Sequence, residues 1–319
     1  MLKSLLQAVS PGGASGRLSV LVFHRVLAQP DPLFPEAIDA ARFDAICGWT
    51  KSWFSVLPLD EAARRLHGHS LPVRALSITF DDGYADNHDV ALPILARHGL
   101  PATFFIATGF LDGGRMWNDT LVEAVRGTAL TSLDLRDLLG SDEPVHTLDT
   151  NAARRSAIDA IIRKTMYLGP GRREAIVQDI AARCGAPLPT DLMMDSEQVR
   201  ALHSAGMQIG AHTLSHPILA GLDAAAAAKE MAGSRDCLES MLGERVGLFA
   251  YPSGKPGRDY TAQNVEIARD LGFDAAVSTA WGAANPSTDP LQIPRFTPWD
   301  RSRLRFGARL AKNLWSSRA

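Results

Sequence analysis

The sequence predicts an α/β barrel, and three observations predict it. Seven short runs of β-forming residues recur along the 319-residue chain. Stretches with helical spacing and helix-ending signals separate most of them, the alternation that builds parallel sheets. Most of the runs are apolar almost throughout, as strands buried on both faces require. Seven such strands suffice for a closed or nearly closed barrel.

Taken in order, the chain opens on MLKSLLQAV, where Leu2, Leu5, Leu6 and Val9 fall at helical spacing and predict a short amphipathic helix. LSVLVFH (Leu18–His24) is the first strand and ALSITF (Ala75–Phe80) the second. DVALPILARH (Asp89–His98) reads as a helix stopped by Gly99. ATFFIA (Ala102–Ala107) is the third strand. From about Trp117 to Gln198 the rhythm lapses into Arg- and Ala-rich helical sequence, punctuated at Leu139–Pro144 and Leu168–Gly171. This reads as a helical insertion between the third and fourth strands of a single domain, 1–319. GMQIGAH (Gly206–His212) follows as the fourth strand, then an Ala-rich helix, Asp223–Leu242, capped by Asp223 and closed before Gly243. VGLFAY (Val246–Tyr251) is the fifth strand. A helix over Asn264–Leu271 opens on a capping Asn264 and ends at Gly272. DAAVST (Asp274–Thr279) and LQIPRF (Leu291–Phe296) complete the seven.

The run from Arg301 to Ala319 holds six basic residues (Arg301, Arg303, Arg305, Arg309, Lys312 and Arg318) and no acid. Leu304, Phe306, Leu310, Leu314 and Trp315 are interleaved with them. An amphipathic helix is expected there, docked on the barrel by preference, with an anionic membrane surface as the second reading.

Composition bounds the function. With 46% apolar and 21% charged residues, the chain can bury a sizeable core. Its 33 basic and 35 acidic residues leave a formal net charge of −2, which argues against nucleic-acid binding through bulk charge. Three scattered cysteines, Cys47, Cys184 and Cys237, support neither disulfides nor a thiolate zinc site and are expected as buried free thiols. The apolar start is too short for a secretory leader, and no window approaches the roughly 20 apolar residues of a membrane span. A cytoplasmic protein is expected, peripheral at most at the inner face of the membrane.

In parallel barrels, chemistry gathers where strands end. Here the first strand ends in His24-Arg25, the second in Asp81-Asp82-Gly83-Tyr84, and the fourth in His212-Thr213-Leu214-Ser215-His216-Pro217. The fifth ends in Tyr251-Pro252-Ser253-Gly254, and the seventh holds Arg295. An Asp with two His is a nitrogen and oxygen ligand set suited to Zn²⁺, with Co²⁺, Ni²⁺ or Fe²⁺ as alternatives. His212 and His216 share one side if a helical turn follows the strand. Of two adjacent carboxylates, one can bind metal while the other faces a water. Tyr251, Trp281 and Trp299 are candidates for a sugar-binding cleft. His67, His69, His88, His98, His146 and His203 are expected at the surface or in loops.

TFDDGY with HTLSHP resembles the first two motifs of the polysaccharide deacetylases, carbohydrate esterase family 4, the NodB-homology fold. The likeness runs through Ser77–Gly109, Ser196–His216, Leu238–Gly254 and the IPRF segment. The resemblance implies a distorted (β/α)7 barrel, hydrolysis of an N-acetyl group on an amino sugar, and a setting in bacterial exopolysaccharide biosynthesis. Carried over by position, Asp81 resembles the general base, and Asp82, His212 and His216 the metal ligands. Ser253, in the segment Tyr251-Pro252-Ser253-Gly254, falls where the family offers a backbone N–H to the oxyanion.

The sequence departs from the family twice. Ala250 stands where an Arg usually orients the base, and Arg295 is the expected substitute. No acid His lies near the C-terminal end, and His24 resembles the substitute of a branch acting on poly-N-acetylglucosamine. The expected substrate is an amino-sugar glycan or a lipid-linked sugar precursor. Two rivals stand beside it: a deformylase or other amide or imide hydrolase using the same groups, and a catalytically silent carbohydrate-binding barrel.

Overall fold

The computed structural model describes residues 2–316. Its strands are β1 (Leu18–Phe23), β2 (Ser55–Val56), β3 (Ala75–Phe80), β4 (Thr103–Ile106) and β5 (Ser132–Leu133). They continue with β6 (His146–Thr147), β7 (Gln208–Ala211), β8 (Leu248–Ala250), β9 (Ala275–Trp281) and β10 (Ile293–Arg295). The α-helices are α1 (Leu2–Val9), α2 (Ala40–Trp53), α3 (Leu59–His67), α4 (Leu92–His98), α5 (Trp117–Gly127) and α6 (Arg136–Leu139). After them come α7 (Asn151–Thr165), α8 (Pro170–Cys184), α9 (Ser196–Ser204), α10 (Ala224–Leu242), α11 (Ala262–Asp270) and α12 (Arg303–Ser316).

The chain divides into two units. The first comprises Met1–Gln29, Ile38–Asp112 and Met193–Ala319. Its strands pair in parallel in the order β1-β3-β4-β7-β8-β9-β10, with β2 added beside β3. The sheet nearly closes on itself. Beyond β10 the Phe296 N–H donates to the Val20 carbonyl at 2.7 Å, and the Val22 N–H donates to the Phe296 carbonyl at 3.1 Å. All seven expected strands are present, most trimmed by one to three residues, while β9 runs on to Trp281. The eighth, β2, is too short to show as an apolar run; the Ser55 and Leu57 N–H groups hold it against β3 by donating to the Arg74 and Leu76 carbonyls.

Side chains of these strands alternate between two cores. Phe80, Phe104 and Ile106 pack with the surrounding helices, and Phe80 stacks on Phe104 at 4.6 Å. Phe105 turns the other way, to Val20, Leu248, Ala250, Val277 and Ile293. With Ala75 of β3, six strands contribute to that second cluster, so it is the barrel's interior. A Cβ on Gly210 would lie 2.5 Å from the Phe105 ring, so only glycine lets β7 pass it.

Capping follows local chemistry. Asp223 accepts from the Ala226 N–H at 2.8 Å and opens α10, which Gly243 closes at φ +72°. Gly99, at φ +61°, closes α4, and a wide π turn over Asn87–Ala91 precedes that helix. The expected start at Asn264 is corrected. Helix α11 begins at Ala262 because Thr261 is the cap, and Asn264 sits one turn in, its side chain accepting the Thr261 N–H at 2.8 Å.

The second unit, Pro30–Ala37 with Gly113–Leu192, has its own core of Leu33, Leu121, Val125, Ile158, Ile161, Val177 and Ile180. Against the expected insertion of 117–198, this unit starts earlier, ends earlier and takes in 30–37, because Leu33 is buried in its core. It also holds a small antiparallel hairpin, β5 with β6. Pro170, read as loop punctuation, instead starts α8, where its missing N–H costs nothing.

At the C-terminus α12 forms as expected, with Phe306, Leu310 and Leu314 fully buried. Arg318 lies outside the described residues, as does the Leu2 side chain. Among the cysteines, Cys47 and Cys184 are buried, and burial pushes the Cys47 thiol up to about 12. Cys237 is exposed, correcting the expectation of buried thiols. No helix among the described residues is long and apolar enough to cross a membrane.

Candidate active site

Strand β3 is buried along its length and ends in two carboxylates. Asp82 and Gly83 both take positive φ, +79° and +92°, so the chain turns sharply as it leaves the sheet. Backbone bonds hold the turn: the Ala107 N–H donates to the Asp82 carbonyl and the Met194 N–H to the Gly83 carbonyl. The strain of a non-glycine residue in this region, roughly 1–3 kcal/mol, is stored where the two carboxylates diverge.

Asp81 faces Arg295 across the interior. The guanidinium makes a two-pronged contact, Nη1 to Oδ1 at 2.7 Å and Nη2 to Oδ2 at 2.6 Å. Its remaining donors reach the Ser278 carbonyl at 2.9 Å and the Thr79 hydroxyl at 3.3 Å. Burial alone would raise the Asp81 pKa, but the Arg295 charge, with His212 and His24 nearby, holds it below the usual carboxylate range. A fork of this kind fixes both the ionisation and the orientation of the carboxylate.

Asp82 faces two imidazoles. His212 Nε2 and His216 Nε2 each lie 3.4 Å from the same Asp82 Oδ1, and that buried oxygen accepts no hydrogen bond. His212 Nδ1 lies 2.7 Å from the Ala250 carbonyl, which can only accept, so Nδ1 carries a proton and Nε2 is the nitrogen turned towards Asp82. Burial opposes a charge on this ring, but Asp82 and Asp81 beside it raise its pKa. Burial pushes His216 down to about 4, so at neutral pH it is uncharged. Burial would also raise Asp82, but His212, His24 and His216 around it hold it well below the usual range. Two imidazole nitrogens thus converge on a carboxylate oxygen that no donor answers, with one ligand atom from each residue within 4.8 Å of the others. Such an arrangement fits a divalent cation held by Asp82, His212 and His216.

The segment between the two histidines is not the helical turn expected from their spacing. Thr213 and His216 take positive φ, +66° and +51°. Glu230, from α10, shapes the loop instead, accepting from the Leu214 N–H, the Ser215 N–H and the Ser215 hydroxyl at 3.0, 2.9 and 2.7 Å. The Thr213 hydroxyl accepts from the His216 N–H at 3.1 Å. Glu230 was missed because it lies in an Ala-rich helix with no local mark of its role.

His24 is exposed just past β1, and its charge acts on Asp81, Asp82 and His216. Its segment is tied down by two further residues that sequence reading missed. Asn87 donates to the His24 carbonyl at 2.8 Å. Asp86 accepts from the Val26 N–H at 3.0 Å and from Arg25 Nε at 2.7 Å. Both follow TFDDGY closely in the chain, which is the signal that could have found them.

Past β8, Ser253 has φ +57°, and its carbonyl accepts from the Thr279 hydroxyl at 2.6 Å. Pro252 and Gly254 are buried beside it, with Gly254 donating to the Pro252 carbonyl. Tyr251 is a correction: its ring is buried, stacked on Tyr260 at 3.9 Å, and cannot line a sugar cleft. Trp281 and Trp299 are exposed, and the Trp299 ring lies under the Arg309 guanidinium. His146 is also corrected, since it is buried and bonded to Glu143.

Comparison with known proteins bears on this geometry. The family model described as polysaccharide deacetylase matches residues 69–276. YxkH of Bacillus subtilis (strain 168), which bears a provisional polysaccharide deacetylase name, is 21% identical over 271 residues, 84% of this chain and 67% of its own. IcaB from Ammonifex degensii superposes with a TM-score of 0.61 at 21% identity, covering 96% of this chain and 98% of its own. The Streptococcus pyogenes deacetylase PplD, solved in complex with acetate, gives 0.59 at 20% identity, covering 89% and 92%. At these identities the structural likenesses establish the barrel fold.

Proposed function

The chain belongs to the polysaccharide deacetylase family, and from that premise we propose that it is a metal-dependent hydrolase removing N-acetyl groups from an amino-sugar glycan or a lipid-linked glycan precursor. The observation that carries the reading is the pairing of one orphaned carboxylate oxygen, Asp82 Oδ1 facing His212 and His216, with a second carboxylate, Asp81, locked by Arg295.

Asp82, His212 and His216 would hold the cation, Zn²⁺ first, with Co²⁺, Ni²⁺ or Fe²⁺ as alternatives. When bound there, the metal supplies Lewis acidity towards the amide carbonyl and the attacking water. Asp81, kept ionised by Arg295, takes the proton from that water. The Ser253 backbone N–H donates to the oxyanion that develops on the carbonyl. His24 gives a proton to the leaving amine, so that amide and water become amine and acetate. Arg295 takes the place of the guanidinium missing at Ala250, which argues against a catalytically silent barrel, because a binding protein gains nothing from an oriented spare carboxylate.

The test is acetate release from N-acetylglucosamine oligomers by metal-stripped protein reloaded with Zn²⁺ or Co²⁺, beside Asp81→Asn. Metal-dependent release that Asp81→Asn abolishes, with metal content unchanged, is the expected result. A metal-loaded protein inactive on these oligomers and on lipid-linked N-acetylated sugars would overturn the deacetylase reading.

A further inference from the structure

Helix α12 is apolar on two faces. Its inner face docks as expected: Phe306, Leu310 and Leu314 are fully buried, and they share a core with Leu6 and Val9 of α1. Its outer face carries Leu304, Ala308 and Trp315, spaced i, i+4 and i+11, so they form one stripe, with Ala311 at its edge partly buried against the core. Leu304 is 79% exposed and Trp315 61%. Exposed Arg305 and Lys312 flank the stripe, and Arg301 precedes it on the same side. Helix α1 adds Lys3, exposed, and Leu5, 52% exposed.

The charge of this surface is one-sided. Neither α1 nor α12 contains an Asp or Glu, although the whole chain has a formal net charge of −2. Arg309 is engaged by Asp300 and Trp299, and Arg303 lies over Trp53. Arg305, Lys312 and Lys3 remain exposed beside Leu304, Trp315 and Leu5.

Its place in the barrel is also defined. Arg74, the residue before β3, donates to the Trp53 carbonyl at the end of α2 and to Gln7 of α1, each at 2.8 Å. Arg303 at the start of α12 reaches Ser52. Both helices therefore gather at the end where β3 begins, while Asp81 and Asp82 stand where it finishes.

We propose that α1 and α12 together form a docking surface for an anionic phospholipid bilayer, lying at the opposite end of the strands from the catalytic residues. The exposed Leu and Trp side chains enter the interfacial region, and the Arg and Lys side chains meet the lipid phosphates. Charge complementarity selects this occupant: a face with cations and no acids, bordering an apolar stripe, matches a negatively charged surface. The six residues of β3 rise about 20 Å. Given the deacetylase reading above, that separation favours a glycan of several sugars over a single sugar attached to lipid.

The experiment is co-sedimentation of the full-length, metal-loaded protein with vesicles of phosphatidylcholine and phosphatidylglycerol, compared with phosphatidylcholine alone. Binding only to the mixed vesicles, weakened by added salt, is expected. Arg305→Glu with Lys312→Glu, and separately Leu304→Ser with Trp315→Ser, should each lower the partition at least about tenfold. Both double variants should keep the wild-type melting temperature and full acetate release from soluble oligomers. A folded wild type that ignores anionic vesicles, or variants that bind as well as it does, would overturn the proposal. So would a concentration-dependent dimer that the Leu304 and Trp315 changes abolish without any vesicle binding, since the stripe would then serve a second copy of the chain. Activity on soluble oligomers is read separately, so failure of membrane binding and failure of the deacetylase reading remain distinguishable.

Discussion

Each unit of this protein buries a carboxylate beside imidazole, and the two clusters differ in one respect. In the second unit, Glu143 accepts from His146 at 2.8 Å with one oxygen and pairs with Lys164 through the other. In the barrel unit, Asp82 Oδ1 faces two imidazoles at 3.4 Å and accepts from neither. The first cluster is complete, with every carboxylate oxygen answered by a donor. The second leaves a carboxylate oxygen without a donor, between two turns in which Asp82, and Thr213 with His216, take positive φ. Burying polar groups without partners costs free energy, so an unanswered cluster of ligand-type atoms is where a group from outside the chain would be favoured. The completed cluster has the makings of a structural one, and the unanswered one is the candidate site.

The sharpest way to break this contrast is to remove one imidazole from each cluster. His216→Ala should strip the metal and bring acetate release near background while the fold survives, measured by metal analysis beside circular dichroism. If that variant keeps its metal and its rate, the contrast fails. Arg295→Ala comes next. It leaves Asp81 buried without its partner, so we expect a loss of about 3–5 kcal/mol in stability and a fall in kcat of at least roughly 10²-fold. An unimpaired kcat would remove Arg295 from the mechanism.

His24→Gln should lower kcat by on the order of 10²-fold and leave metal content unchanged. Loss of metal instead would make His24 a ligand and redraw the site. The smallest effect on activity belongs to the complete cluster. His146→Ala should cost about 1–3 kcal/mol, because one buried Glu143 oxygen loses its donor. That cost would show as a lower midpoint in denaturant with kcat unchanged, and a change in kcat of more than a few-fold would undo the distinction drawn between the clusters.

Much of this was legible in the residues. Apolar runs such as ALSITF and ATFFIA marked strands because continuous apolar sequence of strand length is stable only between two covered faces. Asp223 and Gly243 marked the ends of α10 because caps act through neighbouring backbone groups. TFDDGY and HTLSHP named the polar residues at two strand ends. Other features left no trace. Glu230 looks like any acid in an amphipathic helix until its helix is packed beside the Leu214–Ser215 loop. Tyr251, two residues before Ser253, looked available to a sugar until the Tyr260 ring covered it. The expected helical turn between His212 and His216 was a local guess, which contacts from Glu230 overrode.

The sequence by itself determined the seven longer strands of the barrel, the caps of α10 and the identity of the metal-ligating candidates, because these rest on interactions spanning a few residues. Only the tertiary structure decided that Arg295 meets Asp81, that the Asp82 oxygen is left without a donor, and that the outer face of α12 remains uncovered. The physical reason is distance along the chain. Arg295 and Asp81 are separated by 214 residues and meet only because β1 and β10 close the barrel between them. Burial, orphaned donors and uncovered faces are properties of that closed arrangement, and no stretch of sequence carries them alone.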